Sequence, residues 1–226
     1  IPVPEGFDYT LWLGPAPVKP YTADRCSRLG AFYISDYALG YIAGWGVHPL
    51  DIAQWGNGTD DTSPIHYSGT GEFPPPDSLY DTSIKWDIEC TYANGVKMRY
   101  MSENLAKPIV MAYRPEWNSH GTTFFGPEGW ISVDRGGLYA SKPELIKGKL
   151  GADGVPLYKS DNHGKNFLEC IRSRQDPICP IETAVNVDAI SQLSDICLRT
   201  KRDIAFDPKT ETIAGDEEAA ARLKRE

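Results

Sequence analysis

The residue types best suited to chemistry gather in one glycine-rich stretch, Tyr33-Ile34-Ser35-Asp36-Tyr37-Ala38-Leu39-Gly40-Tyr41-Ile42-Ala43-Gly44-Trp45-Gly46-Val47-His48-Pro49-Leu50-Asp51. His48 carries an imidazole, the side chain that ordinarily exchanges a proton near neutral pH. Asp51 follows three positions later. On a helix that spacing puts both on roughly one face, where a carboxylate can orient an imidazole. Asp36 offers a second carboxylate, and Tyr33, Tyr37 and Trp45 are candidate substrate contacts. The glycines allow tight turns and close approach of backbone to a partner. A His48 that only packs or caps the first helical turn satisfies the same spacing, so both readings stand at this level.

Two more residues stand out. Arg25 follows a proline-rich opening and is either a surface charge or a ligand for an anionic or hydroxylated substrate. His163 ends the polar run Ser160-Asp161-Asn162-His163 at the start of a helix. Asp161 or Asn162 suits the N-cap, where a side-chain oxygen accepts an otherwise unpaired backbone N–H. Capping does not account for His163, because a cation in the first turn opposes the helix dipole. It is read as a further substrate contact facing a cleft.

The elements that must position these residues follow from periodicity. Residues 1–24 hold Pro2, Pro4, Pro15, Pro17 and Pro20. That density blocks helix and central strand, so the segment is expected to be an extended strap pinned by Leu11, Trp12 and Leu13. A helix is expected from about Trp45 to Trp55, stopped by Gly56-Asn57-Gly58. Residues 65–73 read as a strand. In 83–102, Trp86, Ile88 and Cys90 alternate with polar residues, Asn94-Gly95 suits a type I′ turn, and Val96, Met98 and Tyr100 alternate again: a β-hairpin. Thr122–Phe125 and Trp130–Asp134 flank Gly126-Pro127-Glu128-Gly129 as a second hairpin. Phe167, Cys170 and Ile171 share one face of a helix beginning near Asn162. A longer helix spans about Ile181 to Lys201, a short strand lies near Ile204–Phe206, and an acidic helix closes the chain. Hairpins flanked by helices at the chain's two ends indicate an α+β fold, its sheet mostly antiparallel with helices on one face. The expected division is a strap at 1–24, one domain at 25–208 and a tail helix at 209–226. Trp86, Tyr92, Met98 and Tyr100 look too large for a bare sheet face, which suggests self-association through the sheet.

Composition narrows the partners. The 226 residues carry a net charge of −8, which argues against a nucleic-acid partner. No apolar run approaches the eighteen or so residues that span a bilayer, so no membrane segment is expected. The five cysteines are irregularly spaced with no C-x-x-C, which favours buried free thiols over a disulfide framework or a metal site. The opening Ile1-Pro2-Val3-Pro4 resembles neither a signal peptide nor a natural start, and a chain cut from something longer is expected. The compartment stays open between cytoplasm and periplasm. Gly40, Gly44 and Gly46 have the wrong spacing for a dinucleotide fingerprint, and no phosphate loop, G-x-S-x-G or H-E-x-x-H is present. No cofactor is expected to bind this chain alone, and no metal.

Several stretches together resemble the C-terminal domain of the glucose–fructose oxidoreductase, inositol dehydrogenase and MocA family, a dihydrodipicolinate reductase-like fold. They are Leu11-Trp12-Leu13-Gly14-Pro15-Ala16-Pro17, the run from Gly44 to Gly56, Gly129-Trp130-Ile131-Ser132-Val133 with Arg135-Gly136-Gly137, and Asp161-Asn162-His163 leading to Asn166-Phe167-Leu168. The resemblance implies an N-terminal Rossmann domain holding NAD or NADP, a sugar or polyol substrate, and an open sheet that packs against another subunit as a homodimer or larger homo-oligomer. His48 falls at the family's active-site histidine. The family's aspartate four residues earlier is replaced here by Gly44, leaving Asp36 or Asp51 as its possible substitute. Three functions are consistent with this: a dehydrogenase of a sugar, glycoside or polyol, an NAD-dependent glycoside hydrolase on the same scaffold, and a non-catalytic carbohydrate-binding or assembly domain.

Overall fold

A computed structural model of the chain describes residues 1–117, 119–148, 154 and 157–224. The alternation seen in 83–102 builds the main sheet. Its strands, numbered in chain order, are β1 (His66–Glu72), β2 (Lys85–Thr91), β3 (Lys97–Met101), β7 (Ile204–Asp207) and β8 (Thr212–Ile213). They run antiparallel in the order β3-β2-β1-β7-β8. Register places Tyr67 opposite Cys90 and Ile88 opposite Tyr100, so these four share one face with Trp86, Met98, Ile204 and Phe206. Tyr67, Ile88, Cys90 and Ile204 are wholly buried there. Burial of an aliphatic side chain such as Ile88 contributes about 1.5–3 kcal/mol.

The helix α8 (Ile181–Thr200) covers this face with its C-terminal half. Leu193, Ser194, Ile196, Cys197 and Leu198 are all buried, Leu198 lies where Gly71 leaves room for it, and the Cys197 thiol points at the Tyr67 carbonyl. The opposite face carries polar side chains in cross-strand ion pairs: Glu72 with Lys85 at 2.7 Å, Glu89 with Lys97 at 2.7 Å, and Asp87 with both Nε and Nη2 of Arg99. This corrects one expectation. Trp86, Tyr92, Met98 and Tyr100 do not furnish an uncovered sheet face; period-two geometry sends Trp86, Met98 and Tyr100 to the helix side, and Tyr92 is 3 % exposed.

The hairpin turn also differs from the expected one. Gly95 has φ +86°, but Asn94 keeps a negative φ, so the type I′ requirement of two left-handed residues is not met. Gly95 N–H donates to the Tyr92 carbonyl and Tyr92 N–H to the Val96 carbonyl, enclosing three loop residues with glycine in the left-handed position. The helix α5 (Glu103–Met111) follows β3 directly and has no counterpart in the sequence reading.

Two compact units emerge. One combines Ile1–His48, Pro64–Trp117 and Ile190–Glu226, and the other Pro49–Ser63 with Asn118–Ala189. The first holds the five-stranded sheet together with α1 (Tyr9–Leu13), α2 (Arg28–Tyr33), α3 (Tyr41–Gly44), α5 and α9 (Glu217–Ala221). Asp8 caps α1, so the opening segment is not purely extended; Leu13 is buried as expected, whereas Leu11 is 79 % exposed. The helix α4 (Val47–Asn57) begins in this unit and continues into the second.

The second unit contains the hairpin β4 (Thr122–Gly126) and β5 (Gly129–Asp134), extended by β6 (Gly137–Ala140), and the helices α6 (Glu144–Lys147) and α7 (His163–Ser173). Gly56 of α4 receives the Phe124 ring, and Thr122 donates to the Pro49 carbonyl at 2.6 Å. The α7 cap is Asn162, not Asp161, accepting from Lys165 N–H. Its expected apolar face is only partly buried: Cys170 and Asn166 are inside, while Phe167 and Ile171 are 59 % and 46 % exposed. Asn166 is held inside because it donates to the Tyr158 hydroxyl and accepts from Ile178 N–H. Cys90, Cys170 and Cys197 are buried and Cys26 half-buried; Cys179 departs from the expectation by being exposed. Among the described residues no helix is long and apolar enough to cross a membrane, and no three metal-type side chains cluster.

Candidate functional site

The glycine-rich stretch folds as the end of α2, a short turn, α3 and the start of α4, and its residues up to His48 lie in the first unit. Three anchors hold it. Gly30 brings α2 directly onto the Asp24 and Arg25 carbonyls, where any Cβ would collide. Asp81, in the loop before β2, accepts from Ser35 N–H at 2.7 Å and Ser35 Oγ at 2.6 Å, and its own N–H donates to the Tyr33 carbonyl. Arg199 of α8 donates to the Asp81 carbonyl while pairing with Asp195 at 2.6 Å. The third anchor is Tyr100 of β3, whose hydroxyl donates to the Ile42 carbonyl at 2.6 Å through space that only a glycine at position 46 leaves open. Burial raises the Tyr100 phenol well above its ordinary pKa, so it stays a donor at all working pH.

On this scaffold His48 is exposed near the start of α4, and its ring meets the edge of Trp45 with centroids 5.0 Å apart. No carboxylate hydrogen-bonds or ion-pairs with His48 among the described residues. Asp36 is half-buried with no side-chain hydrogen bond among the described residues, and Asp51 lies half-buried one turn further along α4. Gly44, where the resemblance leads one to expect aspartate, is occupied from outside: a Cβ there would collide with the Phe32 ring. Phe32 in turn stacks edge-on with Tyr33 and Tyr41, and Tyr33 also contacts Tyr80.

Arg25 and Tyr37 are brought together, Nη1 donating to the Tyr37 hydroxyl at 3.3 Å. Tyr37 meets Trp12 edge-to-face at 4.9 Å, and Trp12 stacks on Tyr9. The candidates thus form two neighbourhoods within the first unit, Trp45 with His48 and Arg25 with Tyr37, while Tyr33 belongs to the Phe32 cluster. His163, the first residue of α7, is exposed in the second unit, and its side chain makes no hydrogen bond or ring contact among the described residues. Sequence reasoning missed Asp81, Phe32 and Tyr9. The polar triplet Asp81-Thr82-Ser83 before a strand was the available signal for the first; nothing in spacing points to the other two.

Comparison with known proteins follows the same lines. The model of the C-terminal alpha/beta domain of the glucose–fructose oxidoreductase, inositol dehydrogenase and MocA oxidoreductase family matches residues 1–122, more than half of the chain. No curated protein matches. Among solved structures, the aldose-aldose oxidoreductase from Caulobacter crescentus, complexed with glycerol, is similar with a TM-score of 0.53 at 14% identity, over 82% of this chain and 52% of that one. An NAD-binding protein from Listeria innocua is similar with a TM-score of 0.48 at 15% identity, over 76% of this chain and 53% of that one. The chain spans about half the length of these solved structures. The antiparallel α+β architecture and the match across the His48 segment together place the chain in the glucose–fructose oxidoreductase, inositol dehydrogenase and MocA oxidoreductase family, as its C-terminal alpha/beta domain.

Proposed function

We propose that this chain is the substrate-binding and oligomerisation domain of an NAD(P)-dependent oxidoreductase that acts on a hydroxyl of a sugar, glycoside or polyol, and that it is inactive by itself. The observation that carries this reading is the exposed His48 imidazole, backed by the edge of Trp45, inside the stretch that the family model covers. As general base, His48 takes the proton of the hydroxyl being oxidised; Tyr33, Tyr37, Trp45 and Arg25 contact the substrate, and Asp36 orients the imidazole. Bound NAD(P) supplies the hydride acceptor. The described residues do not fit that group: every strand pairing among them is antiparallel, so no β-α-β crossover opens a crevice for a dinucleotide. Its binding residues lie outside this chain, and the isolated chain is expected to show no micromolar NAD affinity in calorimetry.

The decisive measurement is turnover by the full-length protein with NAD or NADP and a panel of sugars and polyols. His48→Ala should lower kcat by about 10²–10⁴-fold with an unchanged melting temperature. Unchanged turnover would remove His48 from the chemistry. Glycoside cleavage without net cofactor reduction would replace oxidation by hydrolysis on the same scaffold. A second reading, a non-catalytic carbohydrate-binding or assembly domain, draws on Phe32 filling the place of the family's carboxylate against Gly44.

A further inference from the structure

The Arg25 guanidinium is poorly compensated. Its side chain is half-buried, and Nε is shut away from solvent without an acceptor. Its one side-chain partner among the described residues is a neutral hydroxyl, Tyr37 Oη, at the long distance of 3.3 Å. No carboxylate pairs with it among the described residues, although the chain carries 31 acidic residues against 23 basic ones. The neighbouring Cys26 thiol and Tyr9 phenol supply no countercharge, since burial pushes both pKa values upward. Leaving a partly buried guanidinium without a countercharge costs free energy that native structures normally avoid, and the part of the side chain that stays accessible can take one.

The surroundings say what that acceptor brings with it. Tyr37 and Trp12 stand edge-to-face at 4.9 Å, Trp12 stacks on Tyr9 at 5.8 Å, and Tyr9 meets Tyr21 at 5.4 Å. Trp12, Tyr9, Tyr21 and Tyr37 are all half-buried, so each ring keeps part of its surface free. Such rings present an apolar body with a polar rim, suited to a hydroxylated carbon skeleton. A planar guanidinium fork beside them matches a carboxylate or phosphate in two parallel hydrogen bonds. The position is fixed rather than floppy: Arg25 N–H donates to Thr22 Oγ1 at 3.1 Å, and α2 packs onto the Arg25 carbonyl at Gly30.

We infer that Arg25, with Tyr37 and Trp12, forms an oxyanion subsite that takes the carboxylate or phosphate of an anionic polyhydroxy ligand, a sugar acid or a sugar phosphate, in preference to a neutral sugar. The oxyanion site stands on Arg25 itself; the sugar skeleton rests on the function proposed above. The test titrates the chain with gluconate, glucose 6-phosphate, inorganic phosphate and neutral glucose, read by calorimetry and by tryptophan fluorescence, with Trp12→Phe identifying the local contribution.

Gluconate or glucose 6-phosphate should bind at least tenfold tighter than glucose. Arg25→Gln should abolish that preference, and Arg25→Lys should restore only part of it. Whichever of the two anions binds tighter assigns the site to carboxylate or phosphate. Inorganic phosphate binding as tightly as glucose 6-phosphate, and lost in Arg25→Gln, upholds the oxyanion subsite and removes the sugar-type reading. Equal affinity for gluconate, glucose 6-phosphate and glucose, an anion preference that survives Arg25→Gln, or no binding of any anion overturns the subsite. Should Arg25→Gln fail to fold, Arg25→Lys and Tyr37→Phe decide the matter, both expected to weaken anion binding without a change in the circular dichroism spectrum.

Discussion

At the scale of single residues, the pairing of Gly44 with Phe32 explains how this chain departs from its family. The ring occupies the volume that a side chain at 44 needs, so the two positions are sterically matched. Gly44→Asp is expected to destabilise the fold by about 1–3 kcal/mol, as overpacking does. Phe32→Ala in the same chain should recover part of that loss, a non-additive pair measurable by urea unfolding. Additive costs would show that Phe32 is not what excludes the carboxylate. His48, Asp36, Asp51 and Arg25 were legible as candidates because their types are rare or reactive in a short stretch. Their environments were not legible: nothing in spacing says that the Trp45 ring meets His48, or that Arg25 meets Tyr37 from twelve residues away.

At the scale of elements, local rules did well where the chain pairs with itself. The β2–β3 hairpin needs only alternation and a glycine, and α8 needs only a three-and-four repeat, so both were recognisable, α8 to within one residue at its end. The turn type was not, because a type I′ and a three-residue loop both use Asn94-Gly95 and differ only in which residue turns left-handed. The helix α5 was missed because Pro108 inside it argues against a helix, and β6 because four residues opening on a glycine carry little pattern. The face of the sheet that large side chains would occupy was misjudged for a physical reason: alternation fixes which residues share a face, not which face a distant helix covers.

The same sheet makes a pH prediction. Hydrogen bonds from Arg99, together with its charge, hold the Asp87 carboxyl below the usual carboxylate range against the opposing effect of burial. A lowered folded-state pKa means the group stabilises the fold above its unfolded pKa, roughly 3.9, and that this contribution fades as pH falls through the folded value. Arg99→Met should therefore cost stability at pH 6 and nothing at the lowest pH where the fold survives. The cost should stay within about 1 kcal/mol, because the Arg99 side chain is 54 % exposed and screened. A cost that persists undiminished in acid would mean that Arg99 acts through packing instead.

At the scale of the molecule, the uncovered face of the five-stranded sheet is polar and carries its charges as neutralised cross-strand couples. Self-association through this face, proposed with the function, should thus be specific and salt-sensitive rather than greasy. Light scattering of the chain at high concentration should reveal a dimer or larger species that dissociates as ionic strength rises. A monomer at every concentration counts against the assembly role. Substituting Arg99 alone should weaken association if the face is the interface.

One last consequence concerns the tyrosine that reaches through position 46. Because its hydroxyl grips the Ile42 carbonyl, the ledge bearing Trp45 and His48 is riveted to a strand of the main sheet rather than hung on a loop. Evolution can then exchange the tools mounted on that ledge, trading a carboxylate for a glycine or one ring for another, without recasting the workbench underneath.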